Sequence, residues 1–312
     1  MEHYVTLFDS KYLPQGISLY RSMERWCGEF TLWVICMDDL AEEILTKLNY
    51  KSMRLIPLSE VETQALLRVR PDRTVGEYCW TLTPFAAEEV WKRAPEGTTR
   101  VTYLDADMFF LDTPEPIFTE LNGSHANCLI TEHAFSPEFD DSKVLGRFCV
   151  QFLPFVFPAC LPILSLWQSQ CLEWCSAIPD GSRFGDQKYL DSWPSLFPGS
   201  VHVLSQRGLL LGPWNALRFP YSEAAAFHMQ GVRITKRNKL NIGDFPLPQV
   251  LLNNVYHPYA VELRGSLTEL EKFGFKDFIQ STPTGVQKKV VSIIRWGFRS
   301  WRRNRSAQTL HF

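Results

Sequence analysis

Short apolar runs alternate with amphipathic stretches over the first 130 residues of the chain. The apolar runs predict strands at residues 4–8, 30–37, 53–56, 100–104 and 126–131, and the stretches between them predict helices at residues 13–26 and 41–48. Strands and helices in alternation are typical of a mostly parallel sheet with helices on both faces. The sequence therefore predicts an α/β fold whose ligands bind at the carboxyl ends of the strands.

Capping residues indicate where two of the helices begin. Thr83 precedes Pro84, which predicts a helix with threonine as its N-cap and proline at its first position, running to Trp91. Asp39 precedes Leu40, and we interpret this aspartate as the N-cap of the next helix. We read both features as structural and not as part of a catalytic site.

Residues 148–172 carry no charged side chain and raise the question of a membrane span. The stretch contains Pro154, Pro158 and Pro162 together with three glutamines. Because prolines and amides disfavour a spanning helix, we predict a buried strand, a turn and a helix here, with a membrane span as the less favoured alternative. From residue 148 onward the pattern is irregular and rich in aromatic residues, so we expect most substrate contacts in this half.

Composition excludes several classes of protein. The chain has 312 residues, 45% hydrophobic and 21% charged, which fits a folded globular protein and not a disordered or coiled-coil one. A net charge of −2 argues against nucleic acid as a partner. Eight cysteines without a C-x-x-C pair predict reduced, packed thiols and no structural zinc. The N-terminus lacks the basic and apolar pattern of a signal peptide, so we expect a cytoplasmic protein.

The clearest chemical signal is a pair of carboxylates that follows the strand at residues 100–104. Asp105 and Asp107 are two positions apart, and in an extended chain such residues point to the same side. Paired carboxylate oxygens bind Mg²⁺ or Mn²⁺, which complete their shells with phosphate oxygens and water. Two solvated aspartates at a turn are the alternative. Neither a G-x-G-x-x-G fingerprint nor a Walker A loop is present, which disfavours a dehydrogenase or a P-loop NTPase.

The segment Tyr103-Leu-Asp105-Ala-Asp107 resembles the metal-binding motif of GT-A glycosyltransferases, and the chain is most similar to the bacterial members that resemble glycosyltransferase family 8. Further segments match that family in the same order: residues 4–13, residues 73–84, Gly185-Asp186-Gln187, Pro213-Trp214-Asn215 and His228-Met-Gln-Gly231. The resemblance covers about residues 3 to 265. It implies a GT-A fold and transfer of a sugar from a nucleotide-diphosphate sugar.

The resemblance also implies how the donor, a UDP-sugar, is held. Its diphosphate is bridged by Mn²⁺ or Mg²⁺, and Asp105, Asp107 and His228 match the metal ligands. An imidazole ligand suits Mn²⁺ better than Mg²⁺. The remaining matches to donor contacts are Gly231 and Arg233 at the diphosphate, Phe8 and Asp9 at the base and ribose, and Arg73 near the donor. Because Arg233 stands one place earlier than the family's cation, Lys236 and Arg237 stay open as alternatives.

Asp186 and Gln187 match the family's residues nearest to the reacting sugar carbon, where the reaction retains the anomeric configuration. The resemblance implies an electrostatic or orienting role for Gln187 and a contact with a sugar hydroxyl or the acceptor for Asp186. Cys149 stands where relatives often carry asparagine, and a thiol cannot replace the donor and acceptor of an amide. Either a sugar contact moves to Gln151 or the acceptor specificity differs.

The predicted domain organisation is a GT-A catalytic domain at residues 1–265 and a helical basic tail at residues 266–312. Within the domain, residues 1–130 form the nucleotide-sugar half and residues 131–265 the acceptor half. Residues 286–312 hold seven Lys and Arg, interleaved with aromatic and aliphatic residues, and no acid. This pattern predicts a helix lying on an anionic membrane surface, with a disordered solubilising tail as the alternative. A nucleic-acid patch is disfavoured because the rest of the chain is acidic.

The resemblance, together with the basic tail, implies a metal-dependent glycosyltransferase of the hexosyltransferase type, acting on a saccharide or lipid-linked saccharide in surface polysaccharide or lipopolysaccharide synthesis. We expect it in the cytoplasm, with peripheral attachment to the inner face of the plasma membrane as a possibility that the tail raises. A sugar-nucleotide nucleotidyltransferase is one alternative, but residues 9–16 lack the Gly-rich, basic loop of that class. A non-catalytic nucleotide-sugar-binding protein is the other alternative.

Overall fold

The computed structural model describes residues 1–236, 239–276, 280 and 308–311. The strands are β1 (Glu2–Phe8), β2 (Phe30–Cys36), β3 (Met53–Pro57), β4 (Arg100–Leu104), β5 (Met108–Phe110), β6 (Cys128–Glu132), β7 (Phe148–Cys149), β8 (Phe152–Val156), β9 (Val201–Val203), β10 (Leu210–Leu211), β11 (Ala226–His228), β12 (Arg233–Lys236), β13 (Lys239–Asn241) and β14 (Thr309–His311). The helices are α1 (Leu13–Trp26), α2 (Asp39–Leu48), α3 (Leu58–Val61), α4 (Gln64–Val69), α5 (Val75–Arg93), α6 (Glu115–Ser124), α7 (Ser142–Leu145), α8 (Leu161–Glu173), α9 (Trp193–Leu196), α10 (Gln249–Leu251) and α11 (His257–Lys272).

The central sheet has eight strands in the order β3-β2-β1-β4-β8-β6-β7, with β9 paired to β6. β1 pairs in parallel with β2 and β4, β2 with β3, and β6 with β9, whereas β8 runs antiparallel to β4 and β6. Two small three-stranded sheets, β10-β11-β5 and β12-β13-β14, lie beside it. The predicted α/β architecture is confirmed, but the central sheet is less parallel than predicted: it is parallel from β3 to β4 and antiparallel around β8.

The central sheet separates two hydrophobic cores. Along β1, Tyr4 and Phe8 belong to the core on one face, and Val5 and Leu7 belong to the core on the other. α1 and α11 pack against each other on the first face, and α5 and α8 on the second. Burial on both faces explains why these strands are almost continuously apolar in sequence.

Two predicted helix starts are wrong, for one physical reason. α5 begins at Val75, where Thr74 and Glu77 form a reciprocal capping box, and it runs through Pro84 without a break. Likewise the N-cap of α2 is Asp38 and not Asp39: its Oδ1 atom accepts from the backbone N–H of Ala41 at 2.8 Å. In both cases the helix starts at the residue whose side chain accepts hydrogen bonds from the free N–H groups of the first turn. The polar residue closest to the apolar run does not set the start.

Residues 148–172 fold as two strands, β7 and β8, followed by a turn and α8. Within the described ranges, no helix has the length and apolar character needed to cross a membrane.

The predicted domain boundary at residue 265 falls inside α11, which continues across it to Lys272. Further along, β14 pairs antiparallel with β13, so the described end of the predicted helical tail is a strand. Most of the segment that predicts membrane binding, residues 286–307 and 312, lies outside the described residues, as does Arg237. The domain division and the membrane-binding helix stay predictions.

Candidate functional site

Asp105, Asp107 and His228 come together because two distant segments pair as strands. Asp105 directly follows β4, Asp107 directly precedes β5, and His228 is the last residue of β11. β5 and β11 are antiparallel with His228 opposite Met108, and the backbone N–H of Met229 donates to the carbonyl of Asp107 at 2.8 Å. This register sets the imidazole beside the carboxylates.

Asp105 and Asp107 lie in a turn between β4 and β5 and not in the extended chain that we predicted. The Met108 N–H donates back to the Asp105 carbonyl at 3.2 Å and closes this turn. The two carboxylates nevertheless converge, because a turn can bring residues two positions apart to one side as an extended chain does.

The geometry of this trio fits a divalent cation. The His228 Nε2 atom lies 3.0 Å from Asp107 Oδ1 and 3.7 Å from Asp105 Oδ2. One donor atom from each of the three residues lies within 4.8 Å of the other two. Carboxylate oxygens with one imidazole nitrogen form a donor set that Mn²⁺ accepts. The residues therefore converge as a metal site requires, and their role as ligands stays a prediction.

The electrostatics of the trio favour a cation. Burial raises the pKa of Asp105 to about 7; the His228 charge lowers it and the Asp107 charge raises it further. Burial also raises the pKa of Asp107, but the charge and hydrogen bond of His228 outweigh this and leave it lowered. Burial lowers the pKa of His228, and the Asp107 charge reverses this and raises it well above its usual range. A metal ion bound here would therefore compete with protons for the three side chains.

Neighbouring groups hold the three side chains in place. The Tyr103 hydroxyl donates to Asp105 Oδ1 at 3.0 Å, and Gln151 Oε1 lies 3.1 Å from the Nδ1 atom of His228. The Trp214 ring meets the His228 ring edge to face, with centroids 5.4 Å apart. Tyr103 could have been found from the sequence, since it lies two residues before Asp105.

The Trp214-Asn215 motif anchors the loop after β10 to the end of β6. Trp214 Nε1 and Asn215 Nδ2 each donate to the His133 carbonyl at 2.9 Å. The pKa of Cys149 is lowered to about 6: burial raises it, but the imidazoles of His133 and then His228 overcome that effect. No feature of the sequence marked His133 as part of this region.

Arg233 is a positively charged side chain, within the described residues, whose charge acts on the Asp107 carboxylate. Its guanidinium lies 5.3 Å from the centre of the Tyr12 ring, and its charge helps to lower the pKa of Asp107. Gly231, in the turn between β11 and β12, has a φ of 81°, which favours glycine. Lys236 is exposed. Of the two described candidates, Arg233 is the one beside the trio.

The end of β1 lies on the same side of the molecule. Burial raises the pKa of Tyr12 to about 12; Arg233 lowers it, and Asp107 and Asp9 raise it, so Tyr12 lies between these charges. Asp9 accepts from the Lys11 N–H at 3.1 Å, and its pKa is raised by burial and by Asp38.

Arg73 lies just before the start of α5, next to the N-cap Thr74. Its Nε atom is buried and has no hydrogen-bond partner among the described residues, and its charge acts on the Cys171 thiol of α8, as does the charge of Asp186.

Asp186 is 5% exposed and faces the trio. Its pKa is raised well above the usual range by burial first and then by the charge of Asp105. Trp167 Nε1 fixes its backbone by donating to its carbonyl at 2.8 Å. The next residue, Gln187, turns its amide to α7, where Nε2 donates to the Leu145 carbonyl at 2.7 Å.

Comparison with known proteins adds independent information. No family model matches the chain. It is 31% identical over 257 residues to the uncharacterized protein YfnF of Bacillus subtilis (strain 168), covering 76% of this chain and 84% of that protein. It is 26% identical over 293 residues to the uncharacterized protein YfnD of the same organism, covering 88% of this chain and 93% of YfnD.

Two glycosyltransferases are among the solved structures whose backbones are similar to that of this chain. Mouse xyloside xylosyltransferase 1, in its apo form, has a TM-score of 0.50 at 13% identity, over 79% of this chain and 99% of that one. The galactosyltransferase LgtC, in complex with donor and acceptor sugar analogs, has a TM-score of 0.49 at 14% identity, over 92% of this chain and 99% of its own.

The structural match to the mouse protein confirms the predicted fold, and the sequence match to YfnF extends over most of both chains. The chain thus has the GT-A glycosyltransferase fold, and it belongs to the same family as YfnF of Bacillus subtilis.

Proposed function

We propose that the protein is a metal-dependent glycosyltransferase that resembles glycosyltransferase family 8. It transfers a sugar from a nucleotide-diphosphate sugar, a UDP-sugar by resemblance, to a saccharide or lipid-linked saccharide, with retention of configuration. One observation carries this proposal: Asp105, Asp107 and His228 converge within 4.8 Å beside the central sheet of a GT-A fold. A divalent cation held there would neutralise the diphosphate as it leaves the sugar.

The residues around the trio would bind and orient the donor. Arg233 adds a second positive charge next to Asp107, where the diphosphate would meet the cation. Phe8 and Asp9 end the neighbouring strand and are the proposed contacts to the base and ribose. Gly231 allows the backbone close to a phosphate. Arg73, just before the start of α5, is proposed to lie near the donor.

Asp186 and Gln187 are the proposed contacts at the reacting sugar. Burial and the Asp105 charge raise the pKa of Asp186 and so favour its protonated form, which can donate a hydrogen bond to a sugar hydroxyl without adding charge beside Asp105. Gln187 is neutral, and its Nε2 atom is held by Leu145. We assign Gln187 the orientation of the sugar ring and not a nucleophilic attack.

The loop after β1 supports this reading over a nucleotidyltransferase. Residues 9–16 form a short 3-10 helix, Ser10–Tyr12, that leads directly into α1. A nucleotidyltransferase of this fold class would need a Gly-rich basic loop at this position, and the sequence does not supply one.

The Asp107→Asn variant tests the proposal together with the wild type. We expect wild-type protein to gain thermal stability from a nucleotide sugar only when Mn²⁺ is present, because ligands that bind the folded state raise its melting temperature. The variant should lose both this Mn²⁺-dependent shift and turnover. Unchanged ligand affinity in the variant, with no turnover in the wild type, would instead identify a non-catalytic binding protein.

The cellular setting is proposed from the tail. Residues 286–312 would bind an anionic membrane from the cytoplasmic side, where a lipid-linked acceptor for surface polysaccharide or lipopolysaccharide is presented. Deleting residues 286–312 should abolish sedimentation with vesicles that contain anionic lipid. Equal sedimentation of the full-length and shortened proteins would refute this part of the proposal.

A further inference from the structure

Gln151 contacts two of the three residues of the candidate metal site. Its side-chain Oε1 lies 3.1 Å from the Nδ1 atom of His228, and its backbone carbonyl accepts from the Asp105 N–H at 3.2 Å. The residue lies between β7 and β8 and is 0% exposed. From this contact pattern, which rests on the function proposed above, we infer that Gln151 is a positioning residue that directs the Nε2 atom of His228 to the cation.

The inference follows from how imidazole shares its protons. A neutral histidine carries one N–H, and the ring nitrogen without it has the lone pair that binds metal. With Gln151 Oε1 facing Nδ1, the proton stays on Nδ1 as a donor to the amide oxygen. Nε2, which points at Asp107 and Asp105, then keeps its lone pair for the cation.

The opposite orientation of the amide would remove the site. If Gln151 Nε2 faced the ring, Nδ1 would have to accept and the ring proton would move to the nitrogen beside Asp107. In the observed orientation Gln151 Nε2 is buried and has no hydrogen-bond partner among the residues that the structure describes. The amide thus presents its oxygen, and not its nitrogen, to His228.

The ring itself has little freedom to turn away. Trp214 packs edge to face against His228 at 86°, and the imidazole side chain is 9% exposed. The hydrogen bond from the Asp105 N–H to the Gln151 carbonyl involves only backbone atoms and does not depend on the Gln151 side chain. Substitution of Gln151 therefore tests the side chain alone.

Two variants of Gln151 and one control test the inference. Gln151→Met keeps the length of the side chain and removes the acceptor, whereas Gln151→Glu keeps an acceptor oxygen. Gln168→Met removes a comparable amide on α8, which donates to Glu88 at 2.8 Å. Mn²⁺ affinity should fall roughly 10- to 100-fold in Gln151→Met and stay near or above wild type in Gln151→Glu and Gln168→Met. Equal Mn²⁺ affinity in Gln151→Met and wild type, or equally weak binding in both Gln151 variants, would overturn the inference.

The ring nitrogens of His228 give a second readout that needs no variant. In Zn²⁺-loaded wild-type protein labelled with ¹⁵N, we expect Nδ1 to carry the proton and Nε2 to show the metal-bound shift. A protonated Nε2 with a metal-bound Nδ1 contradicts the inference even if Gln151→Met fails to fold. Wild-type protein that binds neither Mn²⁺ nor Zn²⁺ overturns the proposed metal dependence and this inference with it. Tight binding that is insensitive to Gln151 overturns the inference alone.

Discussion

Binding of Mn²⁺ at Asp105, Asp107 and His228 should release a number of protons that depends on pH. The cation needs an unprotonated Nε2 on His228 and an ionised Asp105. Burial lowers the pKa of His228, but the Asp107 charge raises it well above its usual range, so the His228 ring adds to the protons that the cation displaces. The pKa of Asp105 is about 7, so this carboxyl group carries about 0.9 proton at pH 6, about 0.5 at pH 7 and about 0.1 at pH 8.

The share of the release that comes from Asp105 therefore falls by about 0.8 proton between pH 6 and pH 8, and the proton displaced from His228 adds to it. The affinity for Mn²⁺ rises with pH. If binding releases n protons, the affinity rises by a factor of about 10ⁿ for each pH unit. The lowered pKa of Asp107 keeps that carboxylate ionised over this range, so it adds nothing to the count.

Calorimetry in buffers with different ionisation enthalpies measures this proton count directly at each pH. The Asp105→Asn variant is the control, because its neutral amide cannot release a proton. Its proton release should lack the Asp105 share and so should vary less between pH 6 and pH 8 than that of the wild type, although its affinity is lower. Proton release near zero at pH 7, or release that does not change between pH 6 and pH 8 in the wild type, would refute this account of the site's electrostatics.

Three further outcomes follow from the structure. In Gly16→Ala, the new Cβ would lie 2.4 Å from the Phe8 ring, so we expect a loss of about 1–3 kcal/mol in stability and weaker UDP binding by calorimetry. Glu77→Gln should cost about 1 kcal/mol at pH 7 in urea unfolding. Burial raises the pKa of Glu77, but hydrogen bonds from the N–H groups of Ala177 and Thr74 outweigh this effect and lower it. The Glu77 carboxylate therefore becomes protonated in the folded protein only below the ordinary value of 4.5, and the stability cost of the substitution should disappear in that range. Arg233→Ala should weaken binding of UDP by about tenfold and leave binding of uridine unchanged. Equal losses for both ligands would show that Arg233 does not face the diphosphate.

The fold and the carboxylate pair could be predicted from the sequence because both depend on local pattern. Strands buried on both faces are apolar throughout, and Asp105 and Asp107 directly follow one of them. α5 was misplaced because Thr83 and Pro84 imitate a helix start, while the capping box at Thr74 lies a full two turns earlier.

The rest of the site depends on contacts between segments far apart in the chain. His228 was found through the family resemblance alone, since nothing local marks a histidine at the end of a three-residue strand. The amide of Gln151 reaches the site through the pairing of β4 with β8, and the ring of His228 through the pairing of β5 with β11. The hydrophobic periodicity of a single segment does not determine such strand registers.

The pairing of β5 with β11 also bears on biosynthesis of the protein. Two candidate ligands leave the ribosome early, and the third follows only after most of the catalytic domain has been translated. A nascent chain or proteolytic fragment that stops before Ala226 can hold much of the central sheet and still lacks the imidazole. A chain that ends before His228 would have two of the three candidate ligands, and we expect it to bind a divalent cation more weakly than the full chain.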